Sequence, residues 1–226
     1  MINGKTIIAI IPARGGSKGI RNKNIKSFCG MPLIAYSILQ AKESKYVDKV
    51  IVSTEDTKIK DISLEYGAEV PFNRPKNLAG DEATNIDVIL HAINQIKSDI
   101  FIILQPTSPL RTVDDIDGCF ELFIKKNASM VISASKVKNY IYSFLINKTG
   151  QISNNRLKNM TTNRQDHDNY YTVNGAIYIS NTEYFKQTKS FLASETFIYI
   201  MPQDRSIDID EMDDWRIAEN LLLKNK

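Results

Sequence analysis

Short apolar runs alternate with segments of helical periodicity over the first 135 residues, and this alternation restricts the fold more than any other feature. Thr6 to Ile11 is a continuous apolar run, the mark of a strand buried on both faces. Lys49 to Thr54, Ile100 to Leu104 and Met130 to Ala134 repeat it, and Ala68 to Val70 begins a shorter strand. Helical segments lie between them. Pro32 sits where helix position N1 prefers it and opens a helix to about Glu43. Thr57 to Tyr66 reads as a helix stopped by Gly67 at the C′ position. Ile86, Ile89, Leu90, Ile93 and Ile96 share one face of a helix over Asn85–Lys97. Val113, Ile116, Phe120 and Phe123 mark another. The pattern predicts an α/β fold of three layers, built on a mainly parallel, mixed sheet.

The rhythm breaks after Ser135. Residues 136–172 are polar, Asn-rich and without helical period, too long for a plain loop, and read as an inserted lobe. Val173 to Ser180 and Phe197 to Met201 return as strands. Met212, Trp215, Ala218 and Leu222 place an apolar stripe on a C-terminal helix. With no repeat and no low-complexity linker, residues 1–226 read as a single domain with a protruding lobe.

The formal net charge of +3 is too small for a dedicated nucleic-acid binder. No apolar run approaches the roughly 18 residues of a membrane span. The N-terminus lacks a small-residue cleavage site, so no signal peptide is expected. Cys29 and Cys119 have neither metal nor redox spacing, which fits packing residues in a reduced, cytoplasmic protein. His91 and His167 have no metal-ligand partner at useful spacing and read as structural or surface residues.

The charges are segregated along the chain. Seven basic residues and no acidic one precede Glu43, whereas Asp204 to Glu219 holds seven acidic residues against Arg205 and Arg216. An anion site at one end and a cation site at the other suits a metal-dependent enzyme acting on phosphates. Two solvated faces are the plainer alternative.

Pro12-Ala-Arg-Gly-Gly-Ser-Lys-Gly-Ile-Arg-Asn-Lys-Asn24 follows the first strand directly. Glycines let backbone N–H groups approach phosphate oxygens, and Arg14, Lys18 and Lys23 would neutralise them. The spacing matches neither the Walker A nor the G-x-G-x-x-G pattern. Its place is apt, because ligands of open α/β sheets bind at the carboxyl ends of strands. In Ser206-Ile-Asp-Ile-Asp210, read as a strand, both aspartates point to one face about 7 Å apart and could share a Mg²⁺. The alternative is that Asp210 caps a helix. Leu104-Gln-Pro-Thr-Ser-Pro-Leu-Arg111 ends another strand. Its Arg111 either contacts ligand or pairs with a carboxylate.

Together these segments resemble the CMP-sialic acid synthetase family, the N-acylneuraminate cytidylyltransferases. The resemblance runs through IIPARGGSKGI, VIVSTED, NLA, LQPTSPLR, the pair Arg164-Gln165, NGAIYI and SIDID, in order over nearly the whole chain. It implies a nucleotide-diphospho-sugar-transferase-like, Rossmann-like fold and a homodimer joined through the lobe. It also implies Mg²⁺ (or Mn²⁺) and the reaction of CTP with a nonulosonic acid to give a CMP-sugar and diphosphate. By the same resemblance Arg14, Ser17, Lys18, Lys23 and Asn24 fall to the CTP phosphates. Arg74, the backbone near Ala83, and Asn85 fall to cytosine and ribose, and Asp208 and Asp210 to the metal. Gln105, Arg164, Gln165 and Tyr178 fall on or near sugar-binding positions, with Asn174 beside them. Tyr140-Ile-Tyr-Ser143 and Asp166 to Thr172 depart from the family pattern. Sialic acid or a close relative is the first candidate sugar, with legionaminic, pseudaminic and 3-deoxy-manno-octulosonic acids as alternatives and LQPTSPLR favouring the sialic and legionaminic types; a non-catalytic nucleotide binder on the same scaffold is the reading of another class.

Overall fold

The computed structural model describes residues 4–17, 19–137 and 169–224. Its centre is a six-stranded sheet of order β4-β1-β5-β7-β6-β8. The strands are β1 (Ile7–Pro12), β4 (Lys49–Ser53), β5 (Ile100–Leu104), β6 (Met130–Lys136), β7 (Tyr171–Asn181) and β8 (Thr196–Ile200). β1 runs parallel to β4 and β5, and β6 runs parallel to β8. β7 is antiparallel to both its neighbours, which makes the sheet mixed as expected. A two-stranded hairpin, β2 (Ser27–Phe28) and β3 (Met31–Pro32), stands apart.

The unbroken apolar strands are explained by cover on both faces. Ile7, Ala9 and Ile11 point to one side, where α1 (Leu33–Glu43), α2 (Thr57–Glu65) and α4 (Val113–Lys125) supply Ile38, Ile59 and Phe120. Ile8 and Ile10 point to the other, against Ile89 and Ile93 of α3 (Asn85–Gln95) and Phe185 of α5 (Thr182–Thr188). A third apolar cluster lies beside the β2–β3 hairpin. There α6 (Met212–Lys224) sets Trp215 edge-on to Phe28 at 5.2 Å and buries it with Leu110 and Ile209.

Several local expectations change. Pro32 lies one residue ahead of α1, in β3. Ala68–Val70 makes only an isolated bridge, Ile51 to Glu69. Helix α5 is unanticipated; its signal was Asn181, whose side chain accepts from the Glu183 and Tyr184 amides as a cap. Ser206–Asp210 is not a strand: it is irregular chain outside both sheets, tied by the Ile209 amide to the Thr107 carbonyl at 2.8 Å. The expected lobe falls mostly outside the described residues. Its base is β6 and β7, closed by the Val137 amide donating to the Tyr170 carbonyl at 2.8 Å.

Candidate active site

One cleft of about 520 Å³ opens at the carboxyl ends of β1 and β5. The loop after β1 gives Arg14, Ser17, Gly19, Lys23 and Asn24 to its wall. Arg74 comes from the stretch after α2, Asn85 and Val88 from the start of α3, Gln105 to Thr107 from the end of β5, and Asp210 and Glu211 from the acidic segment. The two ends of the chain that sequence reading singled out thus face each other across one cavity.

The basic loop is held from behind. Asn24, only 6% exposed, donates to the Arg14 carbonyl at 2.9 Å, and Glu55 accepts from the Gly15 amide at 2.7 Å. Glu55 was not singled out from sequence; its place just past the end of β4 was the available signal. Arg14 donates to the Gly80 carbonyl and pairs with Asp81 at 3.2 Å. Lys23 donates to the Ile209 carbonyl at 2.7 Å and pairs with Asp210 at 3.1 Å. Both ion pairs involve exposed carboxylates, which typically contribute about 0.2–1 kcal/mol, so a polyanion competes for these cations at small cost. Arg74 is buried against Ser53, bonding its side-chain oxygen and carbonyl. Burial lowers its pKa to about 10, with Glu55 nearby opposing the shift and Arg14 adding to it. Ala83 closes a turn onto the Gly80 carbonyl at 3.4 Å, two residues before Asn85.

The alternation in Ser206–Asp210 survives the loss of the strand. Ile207 and Ile209 turn into the apolar cluster around Trp215, and Asp208 and Asp210 turn outward. Asp210 is not the helix cap: Asp214 accepts from the Asp210 and Glu211 amides, which leaves the Asp210 carboxylate to Lys23. Asp208 is exposed as a residue, yet protein crowds its carboxyl. That desolvation holds its pKa above the usual carboxylate range; Asp210 and Asp214 add to the shift, while a Thr107 hydrogen bond and Lys23 oppose it.

Opposite Asp208, residues 174–177 bulge out of the β6–β7 ladder, where the register slips between Ile132 and Ala134. Gly175 sits in the bulge at φ 74°; a Cβ there would lie 3.5 Å from Asp208 Oδ2 and 3.7 Å from Gln105 Oε1. The missing side chain leaves a small cradle lined by oxygens, with the Thr107 hydroxyl 3.4 Å from Gln105 Oε1. Among the described residues no group of three or more His, Cys, Asp or Glu converges. Two carboxylates and neutral oxygens beside a cationic wall nevertheless suit Mg²⁺, which is usually held by one or two carboxylates with substrate phosphates completing its shell.

Asn174 does not line the cleft. It is 6% exposed, accepts from Ser133 at 2.6 Å and donates to Ser206 at 2.9 Å, so its amide braces the bulge. Arg111 is structural, but its acceptors are neutral rather than a carboxylate. It donates to Ala176 O at 2.7 Å, Ser37 Oγ at 2.6 Å, Gln40 Oε1 at 3.2 Å and Gln105 O at 3.4 Å. Its complete burial lowers its pKa to about 9. Tyr178 lines a recess of about 30 Å³ with Ile89, Ile103 and Phe191, and Pro12, Asn85 and Gln105 join this recess to the main cleft. Burial raises the Tyr178 phenol pKa, and Asp208 adds to the shift. Lys18, Arg164 and Gln165 lie outside the described residues.

The carboxyl ends of the strands are where open α/β sheets bind ligands, and here the cleft carries cations from one segment and carboxylates from another. The comparison with known proteins is more specific. The chain belongs to the cytidylyltransferase family, whose model matches residues 8–214, and is thereby a nucleotidyltransferase. It is 33% identical to a pseudaminic acid cytidylyltransferase of Campylobacter jejuni, over 96% of this chain and 97% of that one. It is 36% identical to an N-acylneuraminate cytidylyltransferase of Escherichia coli over 94% of this chain, which spans about half (51%) of that longer relative. Among solved structures, a CMP:2-keto-3-deoxy-manno-octonic acid synthetase complexed with CTP superposes with a TM-score of 0.75, covering 98% of this chain and 100% of that one. At 15% identity that likeness shows the fold alone. No helix among the described residues is long and apolar enough to cross a membrane.

Proposed function

We propose that this chain transfers CMP from CTP to the anomeric hydroxyl of an acylated nonulosonic acid, releasing diphosphate. The observation that carries this reading is the single cleft in which Arg14 and Lys23 face Asp210, at the strand ends of a cytidylyltransferase. In this reading the triphosphate lies along the loop after β1, and its charge draws Arg14 from Asp81 and Lys23 from Asp210. Lys18 joins them. These cations stabilise the charge that develops on the departing diphosphate. Arg74 and Asn85 take the cytidine end. Arg164 takes the sugar carboxylate and Gln165 contacts the sugar, both from residues between Val137 and Asn169, the segment that joins two copies as a homodimer in the cytoplasm. Asp208 and Asp210, with Gln105 beside them, hold Mg²⁺ (or Mn²⁺). When bound, the ion supplies positive charge against the α-phosphate and acidifies a nearby hydroxyl. The anomeric oxygen attacks the α-phosphorus, the bond to the diphosphate oxygen breaks, and the hydroxyl proton passes to water in the cleft.

The recess at Tyr178 and Phe191 supports the choice of sugar. Its volume of about 30 Å³ suits a methyl group, which an acylamido substituent brings and 3-deoxy-manno-octulosonic acid lacks. Pseudaminic and legionaminic acids move ahead of N-acylneuraminic acid, because a relative named for each is matched end to end. The test is diphosphate release from CTP with Mg²⁺ across pseudaminic, legionaminic, N-acetylneuraminic and 3-deoxy-manno-octulosonic acids. Release with an acylated sugar and not with the octulosonic acid is expected. Equal release with the octulosonic acid removes the recess argument. No release with any sugar, while CTP still binds, favours the non-catalytic alternative.

Asp81→Ala follows from the same reading. The variant frees Arg14 from a pair of about 0.2–1 kcal/mol, so the KM for CTP falls up to about fivefold with kcat unchanged. A KM that stays constant or rises, measured over the same CTP series, shows that Arg14 does not exchange Asp81 for phosphate.

A further inference from the structure

Ser206–Asp210 is irregular chain that belongs to neither sheet, so its course is fixed by isolated bonds rather than by a ladder. At its downstream end Ile209 is buried, its amide bonds to Thr107, and Asp214 takes the Asp210 and Glu211 amides. The upstream end begins at Arg205, the last residue of a single 3-10 turn, Gln203–Arg205. Arg205 is bound in a two-pronged fork to Asp115: Nε to Oδ2 at 2.9 Å and Nη2 to Oδ1 at 2.8 Å. Asp115 is a rigid anchor. It is fully buried at the start of α4, and its Oδ2 also accepts from the Thr112 amide at 3.0 Å and hydroxyl at 2.9 Å. Burial alone would raise its pKa; the Arg205 and Thr112 bonds outweigh that and hold it below the usual carboxylate range. Arg205 itself touches no wall of the cleft, and it precedes Asp208 by three residues.

We infer that Arg205 is a positioning residue for the reaction: its fork to Asp115 fixes the upstream end of the segment that aims Asp208, and with it the divalent-cation site. The inference rests on the metal reading of Asp208 and Asp210 proposed above. A planar guanidinium docked by two parallel bonds fixes both position and direction, which a lysine ammonium cannot do. Losing the fork leaves the upstream end on the Asn174–Ser206 bond of 2.9 Å, while the downstream anchors stay complete, so Asp208 loosens more than Asp210. Residues that orient metal ligands typically change metal affinity by about 10- to 100-fold when replaced.

The test is Mn²⁺ binding to the full chain, followed by electron paramagnetic resonance with α,β-methylene-CTP present so that no turnover occurs. Thermal melts and the KM for CTP are recorded beside it. Arg205→Lys is expected to weaken Mn²⁺ binding about tenfold, to leave the KM for CTP within about threefold, and to melt cooperatively above the assay temperature. If Arg205→Lys does not fold, the double variant Asp115→Asn with Arg205→Gln removes the charge pair without stranding a buried carboxylate and is read in the same way. Unchanged Mn²⁺ affinity with a lowered Tm would make the pair a fold staple only and overturn the inference. A wild-type chain that binds no Mn²⁺ removes the metal reading itself, and the inference with it.

Discussion

Replacing Asp210 by alanine is expected to lower kcat by two or more decades while CTP remains bound. Asp210 stands on the cleft wall, and among the described residues its carboxylate contacts Lys23 at 3.1 Å in a weak ion pair. The variant leaves the Asp210 amide to Asp214 and the Lys23 bond to the Ile209 carbonyl untouched, so the segment keeps its path. Removing one negative charge from a cleft that receives a triphosphate does not weaken ground-state binding. In the reading proposed above it removes an oxygen that would hold the cation, and with it charge stabilisation at the reacting phosphate. Two decades correspond to about 2.7 kcal/mol of lost transition-state stabilisation, within the range for deleting one group that meets developing charge. The measurement is diphosphate release under saturating CTP and sugar, together with CTP binding in EDTA. Near-wild-type kcat would take the metal away from Asp210; lost CTP binding in EDTA would make Asp210 a nucleotide ligand or a fold residue instead.

The periodic parts of the fold were legible because each apolar run and each helical stripe reports its own burial. β1, β5 and α3 sit within two residues of the predicted bounds for that reason. Where contacts between distant segments decide, local pattern misled. The alternation in Ser206–Asp210 is real, since Ile209 is buried and Asp210 exposed, but period two reports which side a residue faces and not whether a ladder exists. Asn174 carried a sugar-site expectation by its motif, whereas its amide bonds to Ser133 and Ser206, 41 and 32 residues away in sequence. Arg111 was open between two roles because only the folded chain brings Ala176, Ser37 and Gln40 around it. The Asp115–Arg205 fork joins residues 90 positions apart and has no local signature.

Gly19→Ala separates the two walls of the site. The loop after β1 approaches the acidic segment so closely at Gly19 that an added Cβ would fall inside the 3.0 Å that Cβ atoms keep from other heavy atoms, against the Asp210 carbonyl oxygen. The obstacle is backbone, not the end of a flexible side chain, so either the loop or the segment must move. Neither movement is harmless. The loop carries Lys23, which bonds to the Ile209 carbonyl, and the segment carries Asp208 beside Gly175 and Asp210 on the cleft wall. A displacement near 1 Å between reacting groups can cost about a hundredfold in rate, so kcat is expected to fall by one to two decades. Gly16→Ala is the comparison within the same loop: its Cβ meets no described atom within 4 Å, so a loss there reports the loop's own need for glycine near phosphate rather than a clash with the acidic segment. The two variants share a composition change and differ only in what the methyl group meets. A large loss at Gly19 with a small one at Gly16 ties activity to the contact between loop and acidic segment. Equal losses would mean that the loop needs glycine for its own flexibility, and that its approach to Asp210 is incidental to turnover.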